Sequence, residues 1–329
     1  MKHLIVSVSL ILFSALAARA QTTPDVYQTV YNQVSQPNLQ KLLKDMTGVN
    51  PVTVGSKTFS ITNRYLPADK ANFRSYWTAF YQALGMQVNE LDYKTVHHLE
   101  KQGHNVEAVL PGKSPDSIII IVHYDSIGPT GADNPGVDDD MTGMAIEMET
   151  ARILNRYKSK LQYTVRFVAA DYEEWGGLEG AEQYTQYIKT LAADKGFKVV
   201  AGIDDEQSGW LENDHTVDLF DCGGDTDSTA MGEAFVQVVN KYSTLKTKSG
   251  CMGDNSDMYA LWEGGIPALV FSEHDPFNNP HFDAEGDDSY TRINQDYFFE
   301  IAKVGVTYAA TVAGLDADAT ESPILMGAL

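Results

Sequence analysis

Positive charge is scarce in this chain. Its 329 residues include 24 Lys and Arg against 45 Asp and Glu, a formal net charge of −21. Phosphate recognition needs clustered cations, so this balance speaks against a nucleic-acid partner. Cysteine is scarcer still. Cys222 and Cys251 are the only two, and they are either one bridge or two separate thiols. Repeats, low-complexity tracts and proline-rich linkers are missing, so nothing marks an internal domain boundary. A hydrophobic content of 43% excludes a disordered or collagen-like chain. Beyond the N-terminus no apolar run reaches spanning length, so no membrane partner is expected. Also absent are HExxH, GxSxG, Walker A and GxGxxG, which removes several common catalytic schemes. His97-His98 resembles part of a zinc helix, but its neighbours do not complete the motif.

What is present begins with a leader. Lys2 and His3 precede an apolar run from Leu4 to Leu16, and Ala18-Arg19-Ala20 supplies a small-residue cleavage site before Gln21. Residues 1–20 therefore read as a secretory signal, with 21–329 as one exported domain in a periplasm or outside the cell. An oxidising compartment of that kind permits a Cys222–Cys251 bridge.

The mature chain opens with helical spacing from Tyr27 to Thr47, and a second amphipathic helix is expected over Asp69 to Leu84. Strands follow at Met86 to Tyr93 and Asn105 to Leu110. Short apolar runs then alternate with helices. Ile118 to Val122, Val165 to Ala170, Phe197 to Ile203 and Ile266 to Phe271 read as strands. Met144 to Leu154, Glu179 to Leu191, a segment beginning Phe235 to Lys241, and Asn294 to Ala313 read as helices. This alternation predicts an α/β fold of three layers, α/β/α, around a central mixed, mostly parallel sheet.

Ligands of such sheets bind at the carboxyl ends of the strands. The ionisable residues gather there: His123 and Asp125, Asp138 to Asp140, Glu173-Glu174, Asp204 to Glu206, then His281 and Asp283. Any one acidic run is an ordinary solvated loop. Five at strand ends would repel one another by several kcal/mol unless cations neutralise them, at about the cost of unpaired buried charge. Two divalent ions sharing one carboxylate meet that need, and a His-plus-carboxylate donor set suits zinc or a similar ion.

These motifs resemble the co-catalytic zinc aminopeptidases of the M28 type, a group that also includes animal glutaminyl cyclases. His123-Tyr124-Asp125-Ser126 is similar to the family's H-x-D-S, which implies His123 as a metal ligand and Asp125 as its orienting carboxylate. Gly136 to Gly143 is similar to G-x-x-D-x-x-x-G, and its register implies Asp139 as the bridging ligand. Asp171-Tyr172-Glu173-Glu174-Trp175-Gly176 resembles E-E-x-G, which implies Glu173 as general base and Glu174 as ligand.

Two positions depart from the pattern. Glu206 stands where the family has Asp in I-N-x-D-x-x-G, with Asp204 as the alternative. In the N-P-x-x-H-x-x-x-D segment, Asp283 takes the register of the ligand His, and His281 lies two residues earlier as the other candidate. A pocket of carboxylates alone would admit Mn or Ca more readily than zinc. The resemblance implies a secreted aminopeptidase acting on peptides with free N-termini. Its alternatives are a single-zinc glutaminyl cyclase and a non-catalytic homologue that binds metal or peptide. Residue preference and oligomeric state are not legible.

Overall fold

The run Ile118 to Val122 becomes the centre of a strand in which every residue is buried. Ile118, Ile120 and Val122 join one hydrophobic cluster, while Ile119 and Ile121 join another on the opposite face. That two-sided burial makes the sheet the middle layer, because successive side chains point to opposite faces. The computed structural model describes residues 25–95, 101–128, 134–174, 177–211, 214–221, 226–281 and 287–321.

In chain order the elements are α1 (Val26–Gln33), α2 (Gln36–Met46), β1 (Val52–Val54), β2 (Lys57–Phe59), α3 (Pro67–Ala83), β3 (Gln87–Lys94), β4 (Gln102–Leu110), β5 (Ser117–His123), α4 (Met141–Leu154), β6 (Thr164–Ala170), α5 (Glu179–Lys195), β7 (Val199–Asp205), β8 (Thr216–Phe220), α6 (Thr226–Tyr242), β9 (Lys246–Gly250), α7 (Met258–Glu263), β10 (Ala268–Glu273) and α8 (Gln295–Val312). β1 and β2 form a separate antiparallel pair. The other eight strands form one sheet, ordered β3-β4-β6-β5-β7-β10-β8-β9. Its centre is parallel, with β6, β5, β7 and β10 side by side in one direction. β3 with β4, β4 with β6, and β10 with β8 pair antiparallel. The mixed, mostly parallel α/β/α arrangement agrees with the alternation in the sequence.

Aromatic and aliphatic side chains of α3, α4 and α8 pack into the larger cluster, among them Phe73, Trp77, Ile146 and Phe298. α5 and α7 cover the other face through Tyr184, Ile188, Met258 and Leu261. The helical stretch expected from Tyr27 to Thr47 is two helices. Ser35 adopts an extended backbone and its hydroxyl accepts the Asn38 N–H, starting α2 afresh. Cys251 is disulfide-bonded. Residues 1–20, expected as a leader, and His97-His98, Cys222 and Asp283 lie outside the described residues. No described helix is long and apolar enough to cross a membrane.

Candidate metal centre

Because β5, β6, β7 and β10 run parallel, their carboxyl ends lie together, and the acidic runs converge there. His123 closes β5, Asp171 follows β6, Asp205 closes β7 and Glu273 closes β10. Gly143 allows the first turn of α4 to approach this edge. A Cβ at that position would stand 2.0 Å from the Asp205 carbonyl oxygen.

The three aspartates before α4 point their carboxylates to three different tasks. Asp138 turns inward, where its Oδ1 accepts the Gly209 N–H at 2.7 Å and its Oδ2 accepts from Asn279 Nδ2 at 2.9 Å. Asp139 Oδ1 lies 2.9 Å from His123 Nε2, and Asp139 Oδ2 accepts from Gln207 Nε2 at 3.1 Å. Asp140 caps α4, its Oδ1 accepting the Gly143 N–H at 3.0 Å.

On the other side of the His123 ring, Nδ1 faces Asp125 Oδ1 at 3.7 Å, and that same oxygen accepts the Glu173 N–H at 3.0 Å. One carboxylate thus lies beside the imidazole and holds the turn that carries Glu173. Burial alone would raise Asp125, but His123, Lys70 and the Glu173 N–H outweigh it and hold the group below the usual carboxylate range.

Two donor groups emerge. His123, Asp139 and Glu174 each offer a ligand atom, all within 4.8 Å of one another, and His123, Asp140 and Glu206 do the same. Asp204 is engaged elsewhere, since its Oδ2 accepts from the Ser256 hydroxyl and from the Met258 N–H. The His281 ring faces Asp287 Oδ2 at 2.8 Å and joins neither group among the described residues.

The donor set fits divalent ions on physical grounds. Asp125 Oδ2, Asp140 Oδ2 and both oxygens of Asp257 are buried without a hydrogen-bond partner. Orphaned carboxylate oxygens are costly unless a cation or proton meets them. Burial and the neighbouring acids push Asp140 and Glu206 well above the usual range, against the opposing pull of His123. Glu173 is pushed up to about 8 by burial, with Asp139, Asp125 and Asp204 adding to it and His123 opposing. A further group, Asp218, His274 and Asp275, is already served by the Lys248 ammonium, which pairs with both aspartates.

Several residues that hold this site escaped the sequence reading. Arg64 is fully buried and donates to the carbonyls of Tyr124 at 2.8 Å, Pro135 at 2.5 Å and Gly136 at 2.9 Å. It ties the end of β5 to the aspartate loop. Asp288 accepts the Asp138 N–H at 2.8 Å and the Asp139 N–H at 3.0 Å. Asp257 is 1% exposed and within electrostatic reach of Asp204, His123, Glu173 and Asp125. The only signal for Asp288 was its place in an acidic pair, and Arg64 and Asp257 gave none.

Residues 105–309 match peptidase family M28. The chain belongs to that family. Leucine aminopeptidase 1 of Trichophyton equinum is 24% identical over 307 residues, covering 88% of this chain and 77% of that protein. Among solved structures, the LapA aminopeptidase of Legionella pneumophila superposes with a TM-score of 0.71 at 20% identity, covering 88% of this chain and 74% of that one. The glutaminyl cyclase of Porphyromonas gingivalis gives 0.66 at 16% identity, covering 85% and 99%. At these identities the structural likeness establishes the M28 fold rather than a shared substrate.

Proposed function

We propose that this M28 protein is a secreted, metal-dependent aminopeptidase that releases the N-terminal residue of peptides. The observation that carries the reading is Glu173 beside the His123, Asp139 and Glu174 donor group, its backbone held by the carboxylate that also faces His123. In this reading His123, Asp139, Glu174, Glu206 and Asp283 would hold two divalent ions, with Asp139 shared as its motif implies; among the described residues His123 groups with Asp139 and Glu174, and also with Asp140 and Glu206. His281 is the alternative to Asp283. Zinc suits the imidazole, while the carboxylate-rich second pocket also admits Mn or Ca.

The ions, when bound, supply Lewis acidity at the scissile carbonyl and acidify water. Glu173 takes the proton of the attacking water and returns it to the leaving amine. Asp125 keeps His123 and the Glu173 turn in register. The surrounding negative charge draws in the protonated N-terminus of the substrate.

Glu173→Gln tests the assignment. Turnover falls by about 10²- to 10⁴-fold, the usual worth of a general base, while metal content stays at the wild-type level. Loss of metal in that variant would make Glu173 a ligand and overturn its role as base.

A further inference from the structure

Lys70 stands in the first turn of α3, where the helix dipole disfavours a cation, and it is 1% exposed. Lysine is almost never buried so completely without a partner. Its Nζ lies 2.9 and 3.2 Å from the two carboxylate oxygens of Asp171 and 3.5 Å from the centroid of the Tyr172 ring. We propose that Lys70 is the positioning residue for the turn that carries Glu173 and Glu174. The inference rests on the reading of Glu173 as general base. Lys70 acts through Asp171 and Tyr172.

The turn needs such a clamp. Tyr172 has φ of 60°, the left-handed region that costs a residue with a Cβ and that glycine occupies freely. A bulky residue stays there only where its surroundings over-determine it. Asp171, on one side, is fixed at every polar group. Its N–H donates to Asn105 Oδ1 at 2.9 Å, its carbonyl accepts from the Tyr93 hydroxyl at 3.0 Å, and its carboxylate also accepts the His104 N–H at 3.1 Å. On the other side, the Glu173 N–H is held by Asp125. Between these anchors the ammonium grips the Asp171 carboxylate and lies over the Tyr172 ring, so that one cation fixes both residues preceding Glu173. Burial works against this ammonium, but Asp171 and Asp125 outweigh it and keep Lys70 charged. Stability alone does not call for the pair, since apolar side chains of similar volume commonly replace a buried ion pair without loss.

The experiment compares wild type, Lys70→Met and the charge-neutral pair Lys70→Met/Asp171→Asn by peptide turnover and by hydrogen exchange. The pair variant leaves no orphaned charge, so it serves where the single variant fails to fold. The clamp predicts a kcat lower by about 10- to 100-fold, the scale of a small misplacement of a reacting group. KM stays within about threefold of wild type. Amides over residues 172–179 exchange faster in the variant, and those of β6 do not. A folded pair variant with wild-type kcat and unchanged exchange in the turn would overturn the proposal. So would a uniform rise in exchange across the sheet, because that marks a role in stability alone. If wild type shortens no peptide, the aminopeptidase reading fails, and exchange in the turn still decides for or against the clamp.

Discussion

Asp288 makes the sharpest case for reading this site outward from its ligands. Its two oxygens accept the N–H groups of Asp138 and Asp139, which are adjacent in the loop and buried. Asp288→Asn keeps the shape but turns one acceptor into an NH₂ that faces an N–H. One hydrogen bond is lost and one buried donor is left unpaired, at a cost of about 1–3 kcal/mol. The loop must still present Asp139 for metal to bind, so this cost falls on affinity. Since about 1.4 kcal/mol is tenfold, zinc should bind about 10- to 100-fold more weakly, the range typical for partners that orient a ligand. Competition with a chromophoric chelator measures this, beside thermal unfolding of the metal-free protein. A folded Asp288→Asn variant with zinc affinity within about twofold of wild type would refute the argument.

Two other outcomes test the scaffold. Gly143→Ala places a methyl 2.0 Å from the Asp205 carbonyl, so the start of α4 must move away from β7. Overpacking of this kind costs about 1–3 kcal/mol, and a melting temperature unchanged from wild type would contradict the close approach. Glu147 is 1% exposed and accepts from the Tyr81 hydroxyl at 2.6 Å and Trp77 Nε1 at 3.2 Å. Burial pushes its carboxyl from an ordinary 4.5 up to about 8, with both hydrogen bonds opposing. Folding therefore takes up a proton in this range. The stabilisation is complete below about pH 4.5 and is lost as pH rises towards 8. Glu147→Gln removes this titration. Its stability relative to wild type should rise between pH 5 and 8 by an amount bounded at about 5 kcal/mol, from 1.36 kcal/mol per pKa unit. Parallel stability curves for the two proteins would sink the assignment.

The sheet was legible where burial leaves a one-dimensional mark. β5, β6 and β10 are short aliphatic runs buried on both faces, a pattern that belongs to the inner strands of a parallel sheet. β9 was not legible, because Lys246–Gly250 is a polar, largely exposed strand at the sheet edge. β8 is only five residues long, and its Asp218 interrupts the apolar pattern. The break between α1 and α2 turns on the cap made by Ser35, a residue that also fits inside a helix.

The same division holds at the site. His123, Asp139, Glu174 and Glu206 lie in short motifs at strand ends, and the structure brings them into two donor groups around one imidazole. Their supports act across distance in the chain. Arg64 reaches carbonyls 60 to 72 residues away, and Asp288 reaches N–H groups 149 and 150 residues away. No local spacing encodes such contacts. Asp257 shows the same limit, since its proximity to Glu173 exists only once α7 packs beside the sheet.

The central claim is that this carboxylate-rich site hydrolyses peptides from their free N-termini with bound metal. Mass spectrometry of a mixed peptide library, incubated with the metal-loaded protein, tests it directly. The account predicts ladders shortened one residue at a time from free N-termini, abolished by a chelator and restored by zinc. Ammonia loss from N-terminal Gln peptides without shortening would make the protein a cyclase instead, and an unchanged library would contradict catalysis altogether.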